Sequence, residues 1–133
     1  MRCGLDTSVV MRLIMGVPSD LAAKTVSSIV EIIHGGGTCL VDDLVLAEAY
    51  YALQHHYKVP KAEALSALAK FSTQPGVVFS PEAVKLLRTP GLDKADPGFV
   101  DRLIHAAYEK SAVPMLTCER AAGKLPNTNV ITA

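Results

Sequence analysis

The stretch Gly4-Leu5-Asp6-Thr7-Ser8-Val9-Val10, GLDTSVV, decides how this chain is read. Residues 3–6 form a short apolar run with the character of a buried strand, and a carboxylate and two hydroxyls stand at its carboxyl end. Two readings are open at this point. Asp, Thr and Ser accept hydrogen bonds from the free N–H groups of a helix start, so the triplet suits the cap of a helix over 7–15 that Gly16 ends. Alternatively, Asp6 is a catalytic or metal-binding carboxylate, because open α/β sheets place their sites at the carboxyl ends of strands.

Working outward, Pro18-Ser19-Asp20 marks a second helix start. Ala22, Val26, Ile29, Val30 and Ile33 then recur on one face until Gly35-Gly36-Gly37 stops the helix. A strand over 38–41 comes next. Asp42-Asp43 introduces the apolar helix LVLAEAYYALQHHY (44–57), and Pro60 suits the first position of the helix KAEALSALAKF (61–71), which Gln74-Pro75-Gly76 ends. Residues 77–79 form a third strand, and Ser80-Pro81 opens the helix EAVKLLR (82–88). The polar loop TPGLDKADPG (89–98) leads to the helix FVDRLIHAAYEK (99–110), with Asp96 and Pro97 as cap and first-turn pair. PMLTC (114–118) reads as a fourth strand and NVIT (129–132) as a fifth. Short apolar strands alternating with helices predict a single α/β domain over 1–133. Its central parallel sheet of four to five strands would carry helices on both faces.

Composition narrows the class. A chain of 133 residues, half of them apolar, buries a core without disulfide or metal staples. No apolar run approaches the ~18 residues of a membrane span. Arg2 followed by Cys-Gly-Leu-Asp lacks the pattern of a signal peptide. A soluble, cytoplasmic protein is the expectation, with part of the apolar excess in an oligomer interface. Cys3, Cys39 and Cys118 are odd in number and match no zinc or redox spacing, so they read as buried free thiols in a reducing compartment. Thirteen basic and thirteen acidic residues cancel, which argues against a generic basic nucleic-acid binder.

Several carboxylates do not sit on ordinary wet faces. Glu48 is the only charge between Leu44 and Gln54, and a charge amid that much apolar sequence calls for an ion pair, a raised pKa or a role as ligand. Asp101 stands one turn into its helix, where an acid also suits the positive end of the dipole. Glu119 comes after the fourth strand, where it also suits a cap for the turn RAAG. Taken with Asp6, two acids end strands and two lie in helices that begin at the same edge of the predicted sheet. Four converging carboxylates call for hard divalent cations with oxygen ligands.

In this order the segments GLDTSVV, DDLVLAEAYYAL, FVDRLIHAAY and LTCER, with the ending KLPNTNVIT, resemble a PIN domain, the Rossmann-like nuclease fold of VapC-type toxins. The resemblance runs essentially end to end and matches the family's acids to Asp6, Glu48, Asp101 and Glu119. It departs at Glu119, where the family more often has Asp, and at Asp96, where many relatives place a further acid nearer the third. It implies a ribonuclease dependent on Mg²⁺ or Mn²⁺, in which a metal-activated water attacks phosphorus in line and leaves a 5′-phosphate and a 3′-hydroxyl. Asp6, Glu48 and Asp101 would form the main cluster, and Thr7, Ser8 and Thr117 would hydrogen-bond a ligand water or orient a carboxylate. It further implies a small antitoxin protein as partner and a homodimer, for which helices 20–34 and 60–72 offer spare apolar residues. Setting the four acids aside leaves thirteen basic against nine acidic residues, or +4. Arg12, Arg102, Arg120 and Lys124 are the candidates for RNA phosphate contact.

Other classes fit less well. His34 and His55-His56 suit the negative ends of their helices, and His105, four residues after Asp101, has no partner His for zinc. A receiver domain needs paired acids after its first strand, and a haloacid-dehalogenase-type phosphatase needs Asp where Ser8 stands. Gly35-Gly36-Gly37 lacks the Lys-Ser or Lys-Thr of a P-loop. The alternative of a different class is a PIN-fold module that binds RNA or protein without cutting.

Overall fold

The computed structural model describes every residue from Met1 to Ala133. Five strands and six helices alternate in the chain. They are β1 (Arg2–Gly4), α1 (Thr7–Met15), α2 (Ser19–His34), β2 (Thr38–Val41), α3 (Asp43–His55), α4 (Lys61–Ser72), β3 (Val77–Phe79), α5 (Pro81–Leu87), α6 (Phe99–Lys110), β4 (Met115–Thr117) and β5 (Thr128–Val130). Single 3₁₀ turns cover Leu92–Lys94 and Ala121–Lys124. No single helix is long and apolar enough to cross a membrane.

The helix ends arise from local chemistry. Gly16 takes the left-handed conformation (φ 69°) and returns its N–H to the Arg12 carbonyl, which closes α1. Asp42 caps α3 by accepting the Leu44 N–H at 3.3 Å, and Ser80 caps α5 by accepting the Ala83 N–H at 3.1 Å. Pro60 occupies the cap position of α4 rather than its first turn. Asp96 does not cap α6: Gly98 holds that position without any side-chain bond, and the Asp96 carbonyl instead accepts from Lys124 Nζ at 3.3 Å.

The strands are all parallel, but they form two sheets where one was expected. β1, β2 and β3 pair in that order, with Cys3 opposite Cys39 and Cys39 opposite Val77, while β4 and β5 form a separate pair. The physical reason lies in two distinct cores. Cys39, Val41, Phe79 and Leu5 pack with α1, α3, α4 and the start of α6, around the fully buried Leu46, Leu53, Leu68 and Phe99. Met115 of β4 packs instead with Ala122 and Leu125, and Leu116 stays 65% exposed. Nor are helices packed tightly on both sheet faces. Leu40 and the 42% exposed Val78 border a cavity of about 610 Å³, across which stand Ala107 and Lys110 of α6. Those two side chains offer the sheet little apolar surface to bury.

Other expectations also shift. Only Cys39 is a buried thiol; Cys3 is half-buried and Cys118 is exposed. Burial pushes the Cys39 thiol up, and the nearby Cys3 adds to it. On α4 the apolar residues Ala64, Leu65, Leu68 and Phe71 are consumed by the core, so that helix has little left for an interface. On α2 the opposite holds: Leu21, Val26 and Val30 are all exposed.

Gly37 permits the close approach on which the β1–β2 pairing rests. A Cβ there would lie 2.7 Å from the Met1 carbonyl oxygen and 2.9 Å from that of Ile32, whereas at Gly35 it would make ordinary contacts. Gly37→Ala is expected to cost about 1–3 kcal/mol in urea unfolding through overpacking against backbone, and Gly35→Ala to stay within ~0.5 kcal/mol. Equal effects would refute the close approach. A thiol reagent should label Cys118 first and leave Cys39 unmodified until the chain unfolds, as mass spectrometry of timed aliquots would show.

Candidate functional site

The junction of β1 and α1 leaves the Asp6 carboxylate unused by the helix. Asp6 takes extended backbone geometry at the cap position, and its carbonyl accepts the N–H groups of Val9 and Val10. Its side chain caps nothing and receives only the Ser8 hydroxyl, at 3.4 Å. Thr7 does not cap either. Its hydroxyl donates to Glu48 Oε1 at 2.7 Å, across 41 residues of sequence, and so ties the start of α1 to the face of α3. Glu48 is exposed, contrary to the burial that its apolar neighbours suggested. Those neighbours lie on other faces of α3, with Leu46, Ala49, Tyr50 and Leu53 turned into the core.

The second pair of acids stands at the α6–β4 end. Asp101, in the first turn of α6, and Glu119, two residues beyond β4, line one cavity of about 240 Å³ with Ile104, Tyr108, Leu116 and Thr117. Thr117 serves the backbone here, its hydroxyl accepting the Glu119 N–H at 3.0 Å. Asp101 also borders a second cavity of about 240 Å³, lined by Tyr50, Tyr51, Gln54, His55 and Lys61. Tyr50 packs edge-on against Phe99, 5.3 Å between centroids, and so holds α3 against the start of α6. Burial pushes the Tyr50 phenol up, opposed in part by the Gln54 amide and reinforced by Tyr51, so it stays protonated at neutral pH.

Asp101 and Glu119 thus share a cavity, while Asp6 is linked to Glu48 only through its neighbour Thr7. No three Asp, Glu, His or Cys side chains lie close enough to share one metal ion. None of the four makes an ion pair; the salt bridges are His105–Glu109 and Lys110–Glu82, each 3.8 Å. Their donor chemistry still suits a hard cation, because Mg²⁺ is commonly held by one or two carboxylates with retained water and substrate phosphate oxygens.

The basic candidates scatter. Arg12 is half-buried, and its Nε has no hydrogen-bond partner. Arg102 donates Nε to the Pro97 carbonyl at 2.7 Å and faces another cavity, beside His105 and Lys85. Arg120 is exposed next to Glu119, and Lys124 braces the loop ahead of α6. His105 is buried, with Nε2 at 2.7 Å from the Pro126 carbonyl oxygen. The side chains that sequence reasoning missed are Tyr51, His55 and Lys61. A signal for the first two was present: Glu48, Tyr51 and His55 recur at helical spacing, which sets them on one face of α3. No family model, curated protein or solved structure matches the chain.

The Thr7–Glu48 bond is measurable by a double-mutant cycle. Thr7→Val with Glu48→Ala should give a coupling of about 0.5–1.5 kcal/mol in urea unfolding. Strictly additive effects would show that the bond contributes nothing in solution.

Proposed function

We propose that the chain is a divalent-metal-dependent ribonuclease of the PIN type, acting in the cytoplasm. The observation that carries the reading is the state of its acids. Thr7 ties Glu48 to the start of α1, just after Asp6; Asp101 and Glu119 share one cavity; and no basic side chain neutralises any of the four. Exposed carboxylates without a cation partner are free to take one up. Asp6 and Glu48 would hold an Mg²⁺ or Mn²⁺ ion, with Asp101 and Glu119 as the second pair of oxygen donors. Such an ion lowers the pKa of a water for attack on phosphorus and offsets charge on the leaving oxygen.

The chain's own residues do the positioning. The Thr7 hydroxyl fixes one oxygen of Glu48 and leaves the other free, and the Ser8 hydroxyl restrains Asp6. Thr117 holds the backbone of Glu119 and so the direction of its longer side chain. Arg120, exposed and next in sequence to Glu119, would meet a phosphate there. The product would carry a 5′-phosphate and a 3′-hydroxyl. The same reading proposes a small antitoxin protein as inhibitor and a homodimer through the exposed apolar face of α2.

A second reading comes from one observation, that no three of the acids lie close enough to share a metal ion. A module of this fold that binds RNA or protein without cutting it needs no convergent cluster. Cleavage assays separate the two. Wild type should cut single-stranded RNA with Mn²⁺ and stop with EDTA. Asp6→Asn and Asp101→Asn should each lose activity by roughly a hundredfold or more, the upper end of what disturbing the support of a metal ligand costs. Their circular dichroism should match wild type, since neither carboxylate supports the fold. Cutting that survives EDTA, or is unchanged in both variants, would overturn the nuclease reading.

A further inference from the structure

The cavity between α3 and the start of α6 is built unlike the rest of the surface. Tyr51 is 50% exposed and lies nearly parallel to the His55 ring, at 23° and 6.1 Å between centroids, so the two make an aromatic ledge along one side. Gln54 donates its amide to the Tyr50 carbonyl at 3.2 Å, which leaves Oε1 as an acceptor without a partner. Lys61, at the start of α4, supplies a positive charge that no carboxylate neutralises. Asp101 forms the border and also lines the neighbouring cavity with Glu119.

A flat exposed π-surface, a fixed amide acceptor and a lone ammonium group match the three parts of a nucleotide: base face, base edge and phosphate. The volume, about 240 Å³, lies below the ~300–1,000 Å³ of sites for drug-sized ligands and suits one base. In duplex RNA the base faces are covered by neighbours, so only an unstacked base of a single strand can use such a ledge.

We propose that this cavity is a base-recognition subsite that stacks one nucleobase of single-stranded RNA on Tyr51 and His55, with the adjoining phosphate at Lys61. The inference rests on the ribonuclease reading for the nature of its ligand. It adds to that reading a residue, Tyr51, that touches the substrate beside Asp101 but takes no part in bond breaking.

The test is fluorescence anisotropy of a short labelled single-stranded RNA, in the Asp6→Asn background with Mg²⁺ so that the strand is not consumed. An RNA of equal length with abasic sugars measures the contribution of phosphates alone. Tyr51→Ala should weaken binding of the base-bearing strand by about five- to a hundredfold, the range of one base–aromatic stack. It should leave the abasic strand unaffected, and Tyr51→Phe, which keeps the ring, should restore wild-type affinity. Lys61→Ala should weaken both strands alike and flatten the salt dependence. Equal affinity of Tyr51→Ala and the parent for the base-bearing strand overturns the subsite, as does failure of the parent to bind RNA at all. The cleavage assay on wild type separates this inference from its premise. Cutting with Tyr51-independent binding sinks the subsite alone, whereas Tyr51-dependent binding without cutting sustains the subsite and sinks the nuclease.

Discussion

A hydrogen bond from the Thr7 hydroxyl to Glu48 ties the start of α1, just after Asp6, to α3, with which α1 shares the main core. β1 is three residues long, and pairing alone cannot fix the direction in which the backbone leaves it. Its register against β2 is set by Gly37, which lets the end of α2 pass close to Met1, and by the Leu5 N–H bonded to Leu40. Beyond that point the chain must turn into α1, and the turn could present Asp6 in several directions. Thr7 removes that freedom by tying the first residue of α1 to α3, itself anchored in the core by Leu46, Ala49 and Leu53. A rigid helix is thereby made the reference for the acid at the end of a short strand, which is how precise sites are supported.

α6 performs the matching task at the other end. Phe99 and Leu103 belong to the main core, while Asp101, Ile104 and Tyr108 turn toward β4. β4 and β5 share no core with the three-stranded sheet, and α6 lines a cavity with β4. His105 contributes by its bond to the Pro126 carbonyl, just ahead of β5. A buried imidazole that looks in sequence like half of a metal site is accounted for by that packing role.

Element order, type and most boundaries were legible because they rest on local chemistry: Gly16, the glycine run at 35–37, and the caps at Asp42 and Ser80 each act on neighbours a few residues away. What was not legible depended on which face of an element meets which. Glu48 sits in an apolar sequence yet is exposed, since a helix sends successive residues in different directions and linear crowding is not burial. Asp96 had the composition of a cap but the helix begins three residues beyond it, at Phe99. The single sheet failed for a similar reason. Strand character was evident in residues 115–117, but with whom they pair is decided by core volume, and Ala122 and Leu125 fill the place beside Met115. Of the proposed site, the choice of acids came from the sequence, and the shared cavity of Asp101 and Glu119 from the fold.

The placement of Glu48, Tyr51 and His55 on one helix has a consequence for how chemistry and recognition are related. At about 1.5 Å of rise per residue, Tyr51 lies roughly 4.5 Å and His55 roughly 10.5 Å along the axis from Glu48. These separations are set by backbone hydrogen bonds, not by loops, so they do not relax when a ligand enters. A base held on the proposed ledge would therefore stand at a fixed distance from the carboxylate one turn away. The same helix reaches the start of α6, and so the helix that carries Asp101, through the Tyr50–Phe99 contact. In the proposed nuclease, the position of the base would then determine which phosphate comes near the carboxylates. Selection of the strand and selection of the bond would be one geometric event.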